Sequence, residues 1–173
     1  EYHALNPQEL VPVLRHGERV LRQSLAILEY LDETWPRHPL LPSGSRERAR
    51  ARALAQTVAC EIHPLNNLRV LQFFEHTWNV PQPEREDWVR HWIGQGFAAL
   101  EEMLADHPGT GDFCVGDTPG IADCCLVPQV YNARRFGVDM EAYPTISRVE
   151  AACLAHPAFD AARPENQPDA PRA

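Results

Sequence analysis

Val11-Pro12-Val13-Leu14-Arg15-His16-Gly17-Glu18-Arg19-Val20-Leu21-Arg22-Gln23-Ser24 is the stretch on which the fold turns. Val11 to Leu14 form a short apolar run, and Val20-Leu21 resume it after a turn at His16-Gly17-Glu18, where Gly17 suits a positive φ. Two apolar runs flanking a glycine turn predict a β-hairpin. Ser24 is suited to cap a helix, and Ala26, Ile27, Tyr30 and Leu31 follow at helical spacing. Residues 35–45, Trp35-Pro36-Arg37-His38-Pro39-Leu40-Leu41-Pro42-Ser43-Gly44-Ser45, hold three prolines and a glycine, so they read as a linker.

Beyond the linker the pattern is helical. Leu54, Val58, Ile62 and Leu65 recur at spacings of four, four and three, with Pro64 placed to kink or interrupt the run. Trp88, Trp92, Gly96, Leu100 and Leu104 mark a second helix, widened by Val89, Ile93 and Phe97. Residues 109–116 read as a loop. A third helix starts near Gly120 and runs through Cys124, Val127 and Val130, and Pro144 opens a fourth at its first turn. The resulting division is a mixed hairpin-plus-helix segment (1–34), the linker (35–45), an all-helical domain (46–163) and a loose, polar, proline-rich tail (164–173).

Composition narrows the function. The 173 residues are 44% hydrophobic and 23% charged, with a formal net charge of −8. An acidic chain without a basic stripe is not expected to bind nucleic acid. No apolar run is long enough to cross a bilayer and no signal peptide opens the sequence, so no membrane partner and a cytoplasmic location are expected. The five cysteines are odd in number and form no C-x-x-C, which fits free thiols in a reducing compartment and fits neither a disulfide framework nor a metal site.

Taken alone, the polar residues leave their roles open. Val11-Pro12 is compatible with a trans edge-strand proline or with a cis bond. Ser24 can serve as a helix cap, or its helix N-terminus can hold an anion. His63 and Asn67 are four apart and share a helix face, whereas Arg69 lies on another face unless a break at Pro64 intervenes. Each could equally be a satisfied or solvated side chain. Arg134 and Arg135 are adjacent, about 100° apart around a helix, so only one can face a given pocket.

The order of elements resembles the glutathione transferase superfamily, and more narrowly its zeta class, which includes maleylacetoacetate and maleylpyruvate isomerases. The resemblance rests on Ala4-Leu5-Asn6-Pro7-Gln8 with Leu10-Val11-Pro12, then Gln23-Ser24-Leu25-Ala26-Ile27 and Ile62-His63-Pro64-Leu65-Asn66-Asn67-Leu68-Arg69-Val70-Leu71. It continues through Gly116-Asp117-Thr118-Pro119, Leu126-Val127-Pro128-Gln129-Val130, Asn132-Ala133-Arg134-Arg135-Phe136 and Gln167-Pro168-Asp169. It implies a mostly α protein: the C-terminal part of a thioredoxin-like α/β domain, followed by an all-α domain. The family's amino-terminal β-α-β segment, whose serine- and cysteine-containing motif contacts the glutathione sulfur, has no counterpart here, so the resemblance implies activity for a longer parent. Gly120 stands where the family usually has Ser or Thr as helix cap, with Asp123 retained.

The resemblance further implies glutathione as cofactor, bound by Gln8, Val11, Gln23, Ser24, His63 and Asn67, with a cis Val11–Pro12 bond. It implies a dicarboxylate substrate held by the catalytic candidates Arg69 and Arg135, since arginine suits bidentate carboxylate contacts. Arg134 is expected to meet solvent or an acidic neighbour. The implied reaction is glutathione-dependent cis–trans isomerisation in aromatic-compound or tyrosine catabolism, by a homodimer when full length. The alternative is a non-catalytic or conjugating glutathione-transferase-like protein.

Overall fold

The structure, a computed structural model, describes residues 1–170. A short helix α1 (Tyr2–Leu5) precedes strands β1 (Val13–His16) and β2 (Arg19–Arg22) and helix α2 (Ser24–Thr34). The strands pair antiparallel, Val13 with Arg22 through His16 with Arg19. Gly17, at the first position of the two-residue turn, has φ +60°, as a type II′ hairpin requires.

No helix or strand occupies residues 35–44, yet the segment is tied at both ends. The Leu40 N–H donates to the buried Asp32 carboxylate of α2, and the Leu40 carbonyl accepts from the N–H of Ile121 at 3.0 Å. A Cβ on residue 120 would meet that carbonyl at 2.8 Å, so glycine suits this close approach. Asp123 secures the start of α6 by the other half of a capping box: its buried carboxylate accepts the N–H groups of Gly120 (2.8 Å) and Cys114 (2.9 Å).

The helical part comprises α3 (Ser45–Gln56), α4 (Leu68–Trp78), α5 (Gln82–Ala105), α6 (Ile121–Arg135), α7 (Pro144–Ala155) and α8 (Pro157–Ala161). Its core interleaves Leu54, Val58 and Ile62 with Val89, Ile93, Phe97, Leu100 and Leu104 of α5 and Leu126 and Val130 of α6. Among the described residues no strand follows residue 46 apart from an isolated bridge between Thr110 and Gly116.

Four points bear on the sequence expectations. First, the run through Leu65 is interrupted at Pro64 rather than kinked, one of the two outcomes expected: α3 widens into a π-helical segment at Thr57–Ile62, tightens into a 3₁₀ turn at His63–Leu65, and stops. Pro64 has no N–H to continue the ladder. The freed Leu65 carbonyl accepts from the Trp88 indole N–H at 2.7 Å, and α4 starts afresh with Asn67 as cap, its Oδ1 accepting the Arg69 N–H at 3.2 Å. Second, Ser24 is the first helical residue of α2, not its cap; Gln23 is the cap, at φ 71°, and no side chain caps the helix. Third, α1 and α8 were not anticipated, being too short to show periodicity. Fourth, the start of the expected loose tail is held in place. Pro164–Asn166 form a 3₁₀ turn, and the Gln167 amide donates to the carbonyls of Ala161 and Arg163, both at 2.9 Å. The remainder of that expectation, residues 171–173, lies outside the described residues.

Candidate functional site

A cavity of about 500 Å³ opens between the hairpin segment and the helical part. Its rim is built by Val11, Pro12 and Ser24, one wall by Val58, Ala59, His63, Asn66, Asn67 and Leu68, and the facing wall by α6 from Cys124 to Arg135, with Phe136 just after it.

The rim offers mainly backbone. Tyr2 Oη (2.8 Å) and Asn6 Nδ2 (2.6 Å) both donate to the Leu10 carbonyl and so fix the approach to Val11. Val11 is 83% exposed and its bond to Pro12 is cis. Behind it, the first turn of α2 begins at Ser24, and its first backbone bond is Ile27 N–H to the Gln23 carbonyl. The earlier N–H groups of that turn have no intrahelical partner. With the positive end of the helix dipole they suit a carboxylate. Gln23 holds its positive φ without being glycine, a conformation that costs about 1–3 kcal/mol and concentrates at ligand sites. Its side chain turns away from the cavity and donates to Gln8 Oε1 at 2.9 Å. Gln8 and Gln23 therefore buttress the rim rather than line it.

The helical wall offers side chains. The 3₁₀ turn keeps His63 and Asn67 together, Nε2 and Nδ2 3.4 Å apart. The cavity wall desolvates the His63 ring on one side and lowers its pKa below the ordinary histidine value, although the other edge meets solvent. Asn66, buried where α4 begins, accepts a hydrogen bond from Asn132 Nδ2 of α6 at 3.2 Å and ties the two walls together.

Arg135 lines the cavity, its guanidinium 5.8 Å from the centre of the Phe136 ring. Among the described residues it is paired with no carboxylate. Arg134 turns to the other side and forms a two-pronged ion pair with Glu150 of α7, which is buried.

Arg69 does not line the cavity. Leu68 and Leu71 face it, and Arg69 is turned about 100° from Leu68 around the restarted helix, into solvent. The break that could have brought Arg69 in leaves it outside, so of the two candidate arginines only Arg135 lines the cavity.

Pro128, Gln129, Tyr131 and Asn132 also line the cavity without having been singled out. Part of their signal was present in the sequence: Pro128 and Asn132 recur at helical spacing with Cys125 and Arg135, and Gln129 lies inside the Leu126–Val130 motif. Cys124 and Cys125 line it too, but burial pushes their thiols up to about 11 and about 12, so neither is a thiolate at neutral pH. Among the described residues no His/Cys/Asp/Glu cluster could hold a metal, and no helix is long and apolar enough to cross a membrane.

Residues 1–39 match the glutathione S-transferase N-terminal domain family and residues 82–165 the glutathione S-transferase C-terminal domain family. A Vibrio cholerae protein named probable maleylacetoacetate isomerase is 52% identical over 170 residues, covering 98% of this chain and 78% of its own length. The chain belongs to the zeta class of glutathione transferases. The holo structure of a bacterial zeta-class maleylpyruvate isomerase superposes with a TM-score of 0.95 at 48% identity, over 98% of this chain and 80% of that one. The maleylacetoacetate isomerase of Methylobacterium extorquens AM1, solved with malonate and glutathione bound, also gives 0.95 at 44% identity, over 99% of this chain and 80% of its own. A cavity with a backbone rim and one free arginine thus sits in a zeta-class frame whose solved members hold glutathione and a dicarboxylate.

Proposed function

We propose that this protein catalyses the glutathione-dependent cis–trans isomerisation of a maleyl diketo acid, maleylacetoacetate or maleylpyruvate. The observation that carries this reading is the division of Arg134 from Arg135. One arginine is committed to Glu150, while its neighbour is left unpaired in a cavity of an acidic protein.

Glutathione fits the residues present. The exposed backbone at Val11 can pair with the cysteinyl backbone, and the open first turn of α2 at Ser24 can take the γ-glutamyl carboxylate. When bound, glutathione supplies a thiolate nucleophile that adds reversibly to the conjugated double bond and lets it rotate. The protein orients and binds. Arg135 holds a substrate carboxylate through paired N–H donors. His63, neutral at pH 7, and Asn67 line the opposite wall as hydrogen-bonding groups. Cys124 and Cys125, protonated, do not compete as nucleophiles. Holding both reactants in one cavity turns the addition into an effectively unimolecular step.

In this reading residues 1–34 contribute to the glutathione-binding domain, 35–45 link it to the helical substrate domain (46–163), and Gln8 and Gln23 brace the glutathione rim. Arg69 stays outside the substrate contacts. The free cysteines suit the cytoplasm. The exposed Phe73 and Trp78 on α4, with Tyr131 on α6, suit contact with a second copy of the chain. The test is product analysis by NMR. An isomerase yields the trans acid and returns glutathione unconsumed; a conjugating transferase leaves a stoichiometric glutathione adduct, and that result would overturn the proposal.

A further inference from the structure

Asn66 sits where no helical ladder carries the chain from α3 into α4. Its backbone N–H turns back to the His63 carbonyl at 3.2 Å, as the 3₁₀ turn requires, and so leaves the Ile62 carbonyl without the N–H that a continuous α-helix would supply. The Asn66 side chain supplies the donor instead, Nδ2 to the Ile62 carbonyl at 3.2 Å. Its other end, Oδ1, accepts from Asn132 Nδ2 of α6 at 3.2 Å. Asn66 is only 6% exposed, so little water competes for either bond. The amide has no freedom to flip. The Ile62 carbonyl can only accept, so Nδ2 must face it, Oδ1 must face α6, and Asn132 must present its own NH₂ group.

Two side chains hold this break, and they do different things. Trp88 reaches the Leu65 carbonyl from α5 and takes no part in lining the cavity. Among the described residues, the Asn66–Asn132 bond is the one side-chain hydrogen bond that joins the break to α6. On the break side, His63 and Asn67 flank it along the cavity wall. On the α6 side, Asn132 and Arg135 are three apart, neighbours on one helix face, and both line the cavity. The bond therefore spans from the wall read as glutathione-binding to the wall that carries the free arginine. In an addition between two bound molecules that spacing matters, because a misplacement of about 1 Å can cost on the order of a hundredfold in rate.

We propose that Asn66 is a positioning residue: through Asn132 it fixes the spacing between the glutathione wall and Arg135, and so holds the thiol and the substrate carboxylate in register. The proposal rests on the isomerase reading for its two ligands, but its test needs no turnover. The probe is glutathione carrying a 1,2-dicarboxyethyl group on sulfur, a single molecule that reaches both walls. Calorimetry compares its affinity with that of glutathione alone. The wild-type protein is expected to prefer the conjugate by about tenfold or more, the value of a charged hydrogen bond to Arg135. Asn66→Ala should cut that preference to about threefold or less while the affinity for glutathione alone stays close to wild type. Asn132→Ala should do the same, and the double variant should lose no more than the larger single loss, because the two side chains act through one bond.

Equal weakening of glutathione and conjugate in Asn66→Ala would mark the residue as structural only and overturn the proposal. So would an undiminished conjugate preference in that variant, no preference in the wild type, or additive losses in the double variant. If Asn66→Ala does not fold, Asn132→Ala decides by the same comparison, since it leaves the Asn66–Ile62 bond in place. A protein whose conjugate preference depends on Asn66 yet isomerises nothing would sink the isomerase reading and leave the positioning role standing.

Discussion

The rim and the wall of the cavity recognise by different means. The rim, at Val11 and Ser24, presents backbone groups whose side chains matter little; what counts is the path of the chain, set by Asn6, Tyr2 and the Gln23 conformation. The wall, on α6, presents side chains from a helix whose other face is the core, so that Arg135 and Asn132 stand on rigid support. Backbone recognition suits an invariant cofactor. Side-chain recognition can be retuned one residue at a time, which suits the variable half of a reaction.

The comparison breaks most visibly if the wall loses its anchor. Asp123→Ala leaves the N–H groups of Gly120 and Cys114 unpaired inside the protein and should cost about 3 kcal/mol or more in urea denaturation. Asp123→Asn, which keeps one acceptor oxygen, should cost less. If both substitutions prove neutral, α6 is held by packing alone.

Next in size is the catalytic split between the adjacent arginines. Arg135→Ala should lower kcat/KM by about 1.5–3 kcal/mol, the range for a charged hydrogen bond. Arg134→Ala should barely change kcat/KM but should reduce stability by about 1 kcal/mol, because it strips the buried Glu150 of its partner while the arginine itself is half exposed. Equal catalytic losses in the two variants would contradict the assignment.

How far the sequence foretold this division depends on the residue. The hairpin was legible because alternation and Gly17 act locally, and α7 because Pro144 fits only a first turn. The side to which Arg69 points was not legible. Spacing predicts a face only along an unbroken helix, and the π segment, the 3₁₀ turn and the new cap at Asn67 reset the rotational phase between His63 and Arg69. Arg135 escaped this problem because α6 runs from Ile121 through Arg135 without a restart. Asn66 was visible as a motif residue, but its bond to Asn132 is a tertiary fact that no spacing carries.

The smallest expected effect concerns His63. Its folded-state pKa lies below the ordinary value of 6.5, so the unfolded chain binds this proton more readily. Its contribution to stability is complete above about pH 6.5 and declines as pH falls from there toward the folded-state value. His63→Asn should flatten that part of the stability–pH curve. A wild-type curve already flat across this interval would show that the cavity wall does not desolvate the ring.

The most direct measurement is the initial rate of cis–trans conversion of maleylpyruvate or maleylacetoacetate with and without glutathione. The account predicts conversion that rises and saturates with glutathione and falls to the uncatalysed background when it is omitted. Conversion at the same rate without glutathione would contradict it.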